Sequence, residues 1–280
     1  MENLKAIKDR IKTVNSIIKA TNAMKMVSTV KLARVNNLNK CSKRCAEILF
    51  EMFSKAVREA IFEQKTDYWF SRKNGKTLIV VLSTDQGFCG SYKQSLQDKA
   101  EEVISQHPGA YVEVFGKKGA ILEQNKIEDI APREIESRYD IGAFASTLVN
   151  LVSKYVKERD VSEVLVVSGE FKNVLVQRAK CSKIYPIPEE NITETRYTKV
   201  EGNRLEFIDS VFDMYLSKLF TGIVTEHLIS ELSARVMAMD NSVKNANDMF
   251  EKLSVLYNRV RQAKITQELT EIVSSIECVQ

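Results

Sequence analysis

All four prolines (Pro108, Pro132, Pro186, Pro188) and eight of the ten glycines lie between Asn74 and Glu201. These two residues are the strongest local breakers of regular structure. Each end of the chain is therefore free to run as one long helix, with an ordinarily punctuated segment between. The 280 residues divide accordingly into an N-terminal helix over 1–62, an inserted domain over 74–203 and a C-terminal helix over 204–280.

Both ends carry the three-and-four spacing of an apolar helix face. At the start it reads Leu4, Ile7, Ile11, Val14, Ile18, then Met24, Val27, and further on Leu38, Cys41, Cys45, Ile48 and Met52. At 1.5 Å per residue this helix would be roughly 85 to 90 Å long. The C-terminal pattern is cleaner: Leu232, Val236, Met239, Val243, Ala246, Phe250, Leu253, Tyr257 and Val260 alternate strictly by four and three. That is the seam of a left-handed coiled coil, in a segment on the order of 110 Å long as one helix, with Gly222 its one weak point. Two such ends can pair antiparallel with each other if the middle returns the chain to where it left. Alternatively, each pairs with a second copy of itself.

Charge favours the first arrangement. Residues 1–44 hold eleven Lys and Arg against Glu2 and Asp9, a net +9, whereas residues 204–280 hold eight basic and eleven acidic side chains, a net −3. Opposite charges draw the two helices together and leave the first with surplus positive charge for an acidic partner. Nucleic acid is one such partner, which makes a nucleic-acid-binding protein with a basic helical arm the alternative reading. Against it, no Phe, Tyr or Trp precedes Phe50, so the basic residues are not interleaved with stacking aromatics. A basic face can also simply solvate a helix.

The middle reads as a small α/β domain with a mostly parallel sheet. Lys76-Thr77-Leu78-Ile79-Val80-Val81-Leu82 is a buried-strand signature, followed by Ser83-Thr84-Asp85-Gln86-Gly87-Phe88-Cys89-Gly90 and a helix from Tyr92 to Ser105. Tyr111–Phe115 is a second strand, Asp140–Lys157 a helix, Val164–Val167 a third strand, and Val174 into Lys180 a fourth, hairpinned to it. The turn after the first strand invites comparison with a phosphate loop. It fits neither glycine-rich consensus, and Lys93 lies in the wrong frame. A tight strand-to-helix turn needing two glycines is the better reading, with nucleotide binding at Asp85–Gly90 as a weaker one. No catalytic motif appears, so neither an active site nor a cofactor is expected.

Five scattered cysteines (Cys41, Cys45, Cys89, Cys181, Cys278) fit reduced thiols. Cys41 and Cys45 could share a metal on one helix face, but the two histidines are His107 and His227, so no metal site is expected. No apolar run approaches the length of a membrane span, and Met1-Glu2-Asn3-Leu4-Lys5 lacks an apolar signal core. The expectation is a mature chain in a cytosolic compartment.

Three stretches resemble the gamma subunit of F-type ATP synthases. They are Arg10-Ile11-Lys12-Thr13-Val14-Asn15 through Ala23-Met24-Lys25-Met26-Val27, the turn Ser83–Gly90, and a tail containing Ser233-Ala234-Arg235-Val236-Met237-Ala238-Met239 and Tyr257-Asn258-Arg259-Val260-Arg261-Gln262-Ala263-Lys264-Ile265-Thr266-Gln267-Glu268-Leu269-Thr270-Glu271-Ile272-Val273. The polar identities of the tail do not follow from heptads. The family commonly has Arg where this chain has Gln86, and Gly where it has Ser91.

The resemblance implies an α/β-class protein in which the two end helices form a long antiparallel coiled coil inside a ring of three α and three β subunits. The inserted α/β domain would sit near the membrane with the epsilon subunit and the c-ring. The implied function is that of a non-catalytic central-stalk rotor coupling proton flow to ATP synthesis or hydrolysis. Its membrane contact would be made only through the complex, as a peripheral protein on the cytoplasmic face of a bacterial inner membrane, and it would not bind nucleic acid. The implied rotor contacts are Met24, Lys25 and Met26, facing acidic β segments, and Arg261, Gln262, Thr266 and Glu268, facing β loops. Core packing would equally explain the two methionines, and a solvated helix face would explain Arg261 and Gln262.

Overall fold

The computed structural model describes residues 4–62, 75–117, 140–158, 161–187 and 204–277. In chain order these form α1 (Leu4–Phe62), β1 (Lys76–Leu82), α2 (Tyr92–Gln106), β2 (Tyr111–Phe115), α3 (Ile141–Glu158), β3 (Val161–Phe171), β4 (Gln177–Tyr185) and α4 (Arg204–Glu277). The edges expected for the inserted domain, between 62 and 74 and at 203, fall outside the described residues. Two compact units are formed, Met1–Ser28 with Val236–Gln280, and Thr29–Arg235. The terminal helices contribute to both.

In the smaller unit the first part of α1 pairs with the last part of α4. Leu4, Ile7, Ile11, Val14 and Ile18 are buried or half-buried, as the spacing requires, and so is every seam residue of α4 from Val236 to Val260. Lys25 meets Asp240 across this seam. Counting 21 residues back from Lys25 gives Leu4, and 21 forward from Asp240 gives Arg261, where α4 becomes exposed on all sides. The pairing is therefore antiparallel, and it ends where α1 begins.

Beyond Ile18 the apolar spacing of α1 marks the wrong face. Met24, Val27, Leu38, Cys41, Ile48 and Met52 are exposed. The side chains turned inward are one residue further along: Thr21, Lys25, Ser28, Leu32, Val35, Asn39, Ser42, Ala46, Leu49 and Phe53. They continue the alternation of three and four from Leu4 without a break. One residue is about 100° around a helix, so α1 carries two stripes. The inward one is partly polar because its polar groups have partners on α4. Within the larger unit Thr225 Oγ1 donates to Asn39 Oδ1 at 3.0 Å, and Lys43 Nζ meets Glu226 Oε2 at 2.7 Å. Aromatic packing follows, with the Phe53 and Phe212 rings 5.1 Å apart. Rising numbers in α1 meet falling numbers in α4, so this part of the pair is antiparallel too.

The larger unit also holds the sheet, in the order β2-β1-β3-β4. β1 pairs in parallel with both β2 and β3, while β4 runs antiparallel to β3 at one edge. β1 is buried from Leu78... through Leu82, as a strand covered on both faces must be. Leu78, Val80, Leu82, Val164 and Val166 face α3, Phe53 and Val57 of α1, and α4 from Ile208 to Leu228. Ile79, Val81, Val112, Val114, Leu165 and Val167 face Ala100 and Val103 of α2. The first face is the larger core, and it is here that both long helices grip the domain inserted between them.

Candidate interaction surfaces

Three places on the chain carry more chemistry than packing requires. The first lies on α1. Met24 and Met26 are 46% and 70% exposed, with Val27 beside them, so the two methionines are not core residues of this chain. Lys25 points the other way, into the seam, where it shares Asp240 with Lys244. Hydrogen bonds from these two ammonium groups, Lys25 first, lower the Asp240 carboxyl from 3.8 to about 2. Nearer the start of α1, Lys5, Lys8, Arg10, Lys12 and Lys19 are exposed, so the exposed surface of the helix passes from cationic to apolar along its length.

The second is the end of α4. Residues 261–274 are exposed throughout. Arg261 and Gln262 carry no side-chain partner among the described residues. Thr266 Oγ1 donates back to the Gln262 carbonyl at 3.0 Å, and Glu268 lies 3.7 Å from Lys264 in a loose, solvated pair worth little. Ile265 and Leu269, on one stripe, are exposed as well. The structure thus sets the sequence-derived residues in two bands, Met24 to Met26 and Arg261 to Glu268. The antiparallel course separates them by roughly 30 Å of helix.

The third, in the larger unit, was not assigned a role from sequence. Arg235 and Glu231 form a buried ion pair at 2.6 Å. The guanidinium also donates to the carbonyl of Gly87 at 3.2 Å and, at 3.4 Å, to that of Gln86. The turn after β1 therefore presents carbonyl oxygens to a cation. A phosphate cradle has the opposite polarity, because it must present N–H groups. The turn's shape needs Gly90 at φ +58° and forces Phe88, 68% exposed, to φ +64°. Asp85 Oδ1 accepts from the Lys117 N–H at 3.0 Å and ties the turn to the end of β2.

Next to it, the Gly169 N–H donates to His227 Nδ1 at 3.2 Å, which leaves that nitrogen as an acceptor and places the ring proton on Nε2. A Cβ at Gly169 would fall 1.8 Å from the Tyr92 hydroxyl, so only glycine allows β3 this close to its neighbours. The available signal in the sequence was the Glu231–Arg235 spacing of four, which places both groups on one helix face. What it could not disclose is that the partner of Arg235 is backbone. Burial raises the Cys89 and Cys181 thiols, which disfavours the reactive thiolate. Among the described residues no group of three His, Cys, Asp or Glu could hold a metal.

A family model described as ATP synthase matches residues 3–279. Gamma chains are among the similar proteins: that of Clostridium novyi is 31% identical over 97% of this chain and 96% of its own length. That of Geobacter sp. is 31% identical with both chains fully covered.

The chain belongs to the ATP synthase gamma-chain family.

Solved structures agree in fold. A chain in the Euglena gracilis mitochondrial ATP synthase assembly of OSCP, F1 and c-ring superposes with a TM-score of 0.66 at 15% identity, covering 99% of this chain and 94% of that one. A chain of the Tetrahymena thermophila mitochondrial ATP synthase central stalk and c-ring gives 0.57 at 21% identity, covering 79% and 98%. A gamma chain is a component of the ATP synthase enzyme complex. The nucleic-acid-binding alternative finds no support, since these relatives are ATP synthase chains and two cations of the first helix, Lys25 and Lys43, are engaged by Asp240 and Glu226 of α4. Among the described residues no helix is long and apolar enough to cross a membrane.

Proposed function

We propose that this gamma chain is the central-stalk rotor of a proton-translocating F-type ATP synthase, with 1–62 and 204–280 as the shaft and 74–203 as the domain inserted at its base. One observation carries the reading most directly. The shaft's outer face is apolar at Met24, Met26 and Val27 and basic at Lys5, Lys8, Arg10, Lys12 and Lys19, and α4 continues past the start of α1 as a single exposed helix bearing Arg261, Gln262, Thr266 and Glu268. An apolar surface of that extent on a water-exposed helix calls for a sleeve.

The sleeve is the ring of α and β subunits. Acidic β segments meet the cationic outer face of α1, and β loops meet the tip of α4. Lys25 acts in this scheme through the seam as well, since it is held by Asp240. The epsilon subunit and the c-ring engage the base. Two helices side by side are asymmetric in section, so each β subunit meets a different face. Turning the shaft changes which nucleotide site is open and which is closed, because the faces differ in affinity for each β conformation.

This chain makes and breaks no covalent bond; it transmits torque between proton flow and nucleotide chemistry. It is a peripheral subunit on the cytoplasmic face of a bacterial inner membrane and reaches the bilayer only through the complex.

The test is reconstitution of the purified chain with matching α and β subunits, read by native mass and Mg-ATP hydrolysis. One copy per six larger subunits with raised turnover is expected. Folded α and β that fail to take it up would refute the reading. In the same assay Arg261→Ala with Gln262→Ala should weaken turnover without altering the melting of the free chain.

A further inference from the structure

The hairpin between β3 and β4 is built unlike an ordinary solvent-facing loop. Hairpin tips usually carry Gly, Asn, Asp, Ser or Pro. Here Val174, Leu175 and Val176 stand in a row at the tip, and Leu175 is 72% exposed. The loop is firmly held. Asn173 Oδ1 accepts from the N–H groups of Leu175 and Val176 at 2.9 and 2.8 Å, and Gln177 Nε2 donates to the carbonyls of Val174 at 2.6 Å and Asn173 at 3.1 Å. The N–H groups of Lys172 and Asn173 close the turn on the Val176 carbonyl, each at 3.3 Å. The turn backbone is thus held so that three adjacent apolar side chains face outward.

Cations surround them. Lys172 and Lys180 share Glu170 at 3.9 and 3.7 Å, and Arg178 has no side-chain partner among the described residues. The strand behind the tip is anchored, since Gly169 is bonded to His227 of α4. Among the described residues of the larger unit, none covers this apolar, net positive tip.

We propose that the β3–β4 tip is a docking element for an acidic protein segment that bears apolar side chains of its own and belongs to another subunit of the complex; this rests on the rotor reading. A preordered apolar patch lowers the entropic cost of binding. An unpaired guanidinium at its rim matches a carboxylate in planar, two-pronged geometry. An anionic bilayer fits less well, because lipid surfaces are recognised by clusters of about four to eight cations, and here there are three, two of which share one carboxylate.

The experiment places p-benzoylphenylalanine at Leu175, and in a parallel sample at Val174, in the full chain. Each is assembled into the holoenzyme in liposomes containing anionic phospholipid and irradiated. Mass spectrometry is expected to map the adduct to an acidic segment of another subunit, and Arg178→Glu to lower its yield by about fivefold or more. Adducts only to lipid, only within this chain or only to a non-acidic segment would overturn the proposal, as would a yield indifferent to Arg178→Glu. Native mass on the same samples separates the two readings. Assembly without an adduct removes the docking element alone, whereas failure to assemble removes the rotor reading and the docking element with it.

Discussion

The two long helices solve the same problem with different residues. In α4 the apolar side chains spaced by four and three from Leu232 to Val260 lie in the seam, with Met249 and Val255 exposed between them, and the periodicity of the sequence is the periodicity of burial. In α1 the apolar residues are divided. One set reaches the seam at both ends of the helix, another faces out at Met24, Val27, Leu38, Ile48 and Met52, and the middle of the seam is given to Thr21, Lys25, Ser28, Asn39 and Ser42. A helix that puts polar groups inside and apolar groups outside is adapted to two partners at once. Its inner polar groups fix register, as a buried polar residue does in coiled coils. Its outer apolar groups await a cover that α4 does not provide.

Substitutions in the two helices should differ in cost accordingly. The largest effect belongs to the anchor of α4 on the sheet. Arg235→Met leaves Glu231 charged in a buried site and should cost about 3 to 5 kcal/mol in denaturant unfolding, with much of it restored when Glu231→Gln is added. Next is the seam of α1. Ile7 is 2% exposed, and Ile7→Ala should cost about 2 to 3 kcal/mol. Met24→Ala, on the outer face, should stay within about 0.5 kcal/mol in the free chain yet weaken assembly with α and β.

The polar seam comes third. Asn39→Ala should cost about 1 kcal/mol through the lost bond with Thr225. The smallest effect concerns pH. Because the folded Asp240 carboxyl is lowered from 3.8 to about 2, its contribution is complete above about pH 4 and is lost as pH falls toward 2. Asp240→Asn should flatten the melting temperature across that window, and a curve as steep as the parent's would contradict the shared ion pair.

The same contrast explains what was legible in the sequence. Most strands and helices of the middle segment follow from their apolar runs and turn residues: β2 lies at Tyr111–Phe115 as read, and β3 exceeds Val164–Val167 because pairing with β1 carries it back to Val161 and pairing with β4 carries it on to Phe171, whereas the fourth strand, read as Val174 into Lys180, lies at Gln177–Tyr185 because its first three apolar residues form the hairpin tip. The α4 seam was legible because its residues are apolar and regularly spaced. The middle of the α1 seam was not, since a spacing rule built on apolar residues passes over Thr21, Lys25 and Asn39 and selects the outer stripe one residue away. Pairing of side chains with backbone, as between Arg235 and the carbonyls of Gln86 and Gly87, leaves no trace in residue types. Of the candidate contacts, Met24 and Met26 are exposed where the apolar spacing sets Met24 inward, and Lys25 between them turns inward.

On the rotor reading the α and β ring covers the outer face of α1. Oxidative footprinting of Met24 and Met26, with Met214 of α4 as an exposed reference, in the free chain and in the reconstituted α–β complex tests it directly. Oxidation of Met24 and Met26 is expected to slow on assembly while that of Met214 does not. Equal oxidation of the two α1 methionines in both states, in a complex shown by native mass to contain the chain, would contradict it.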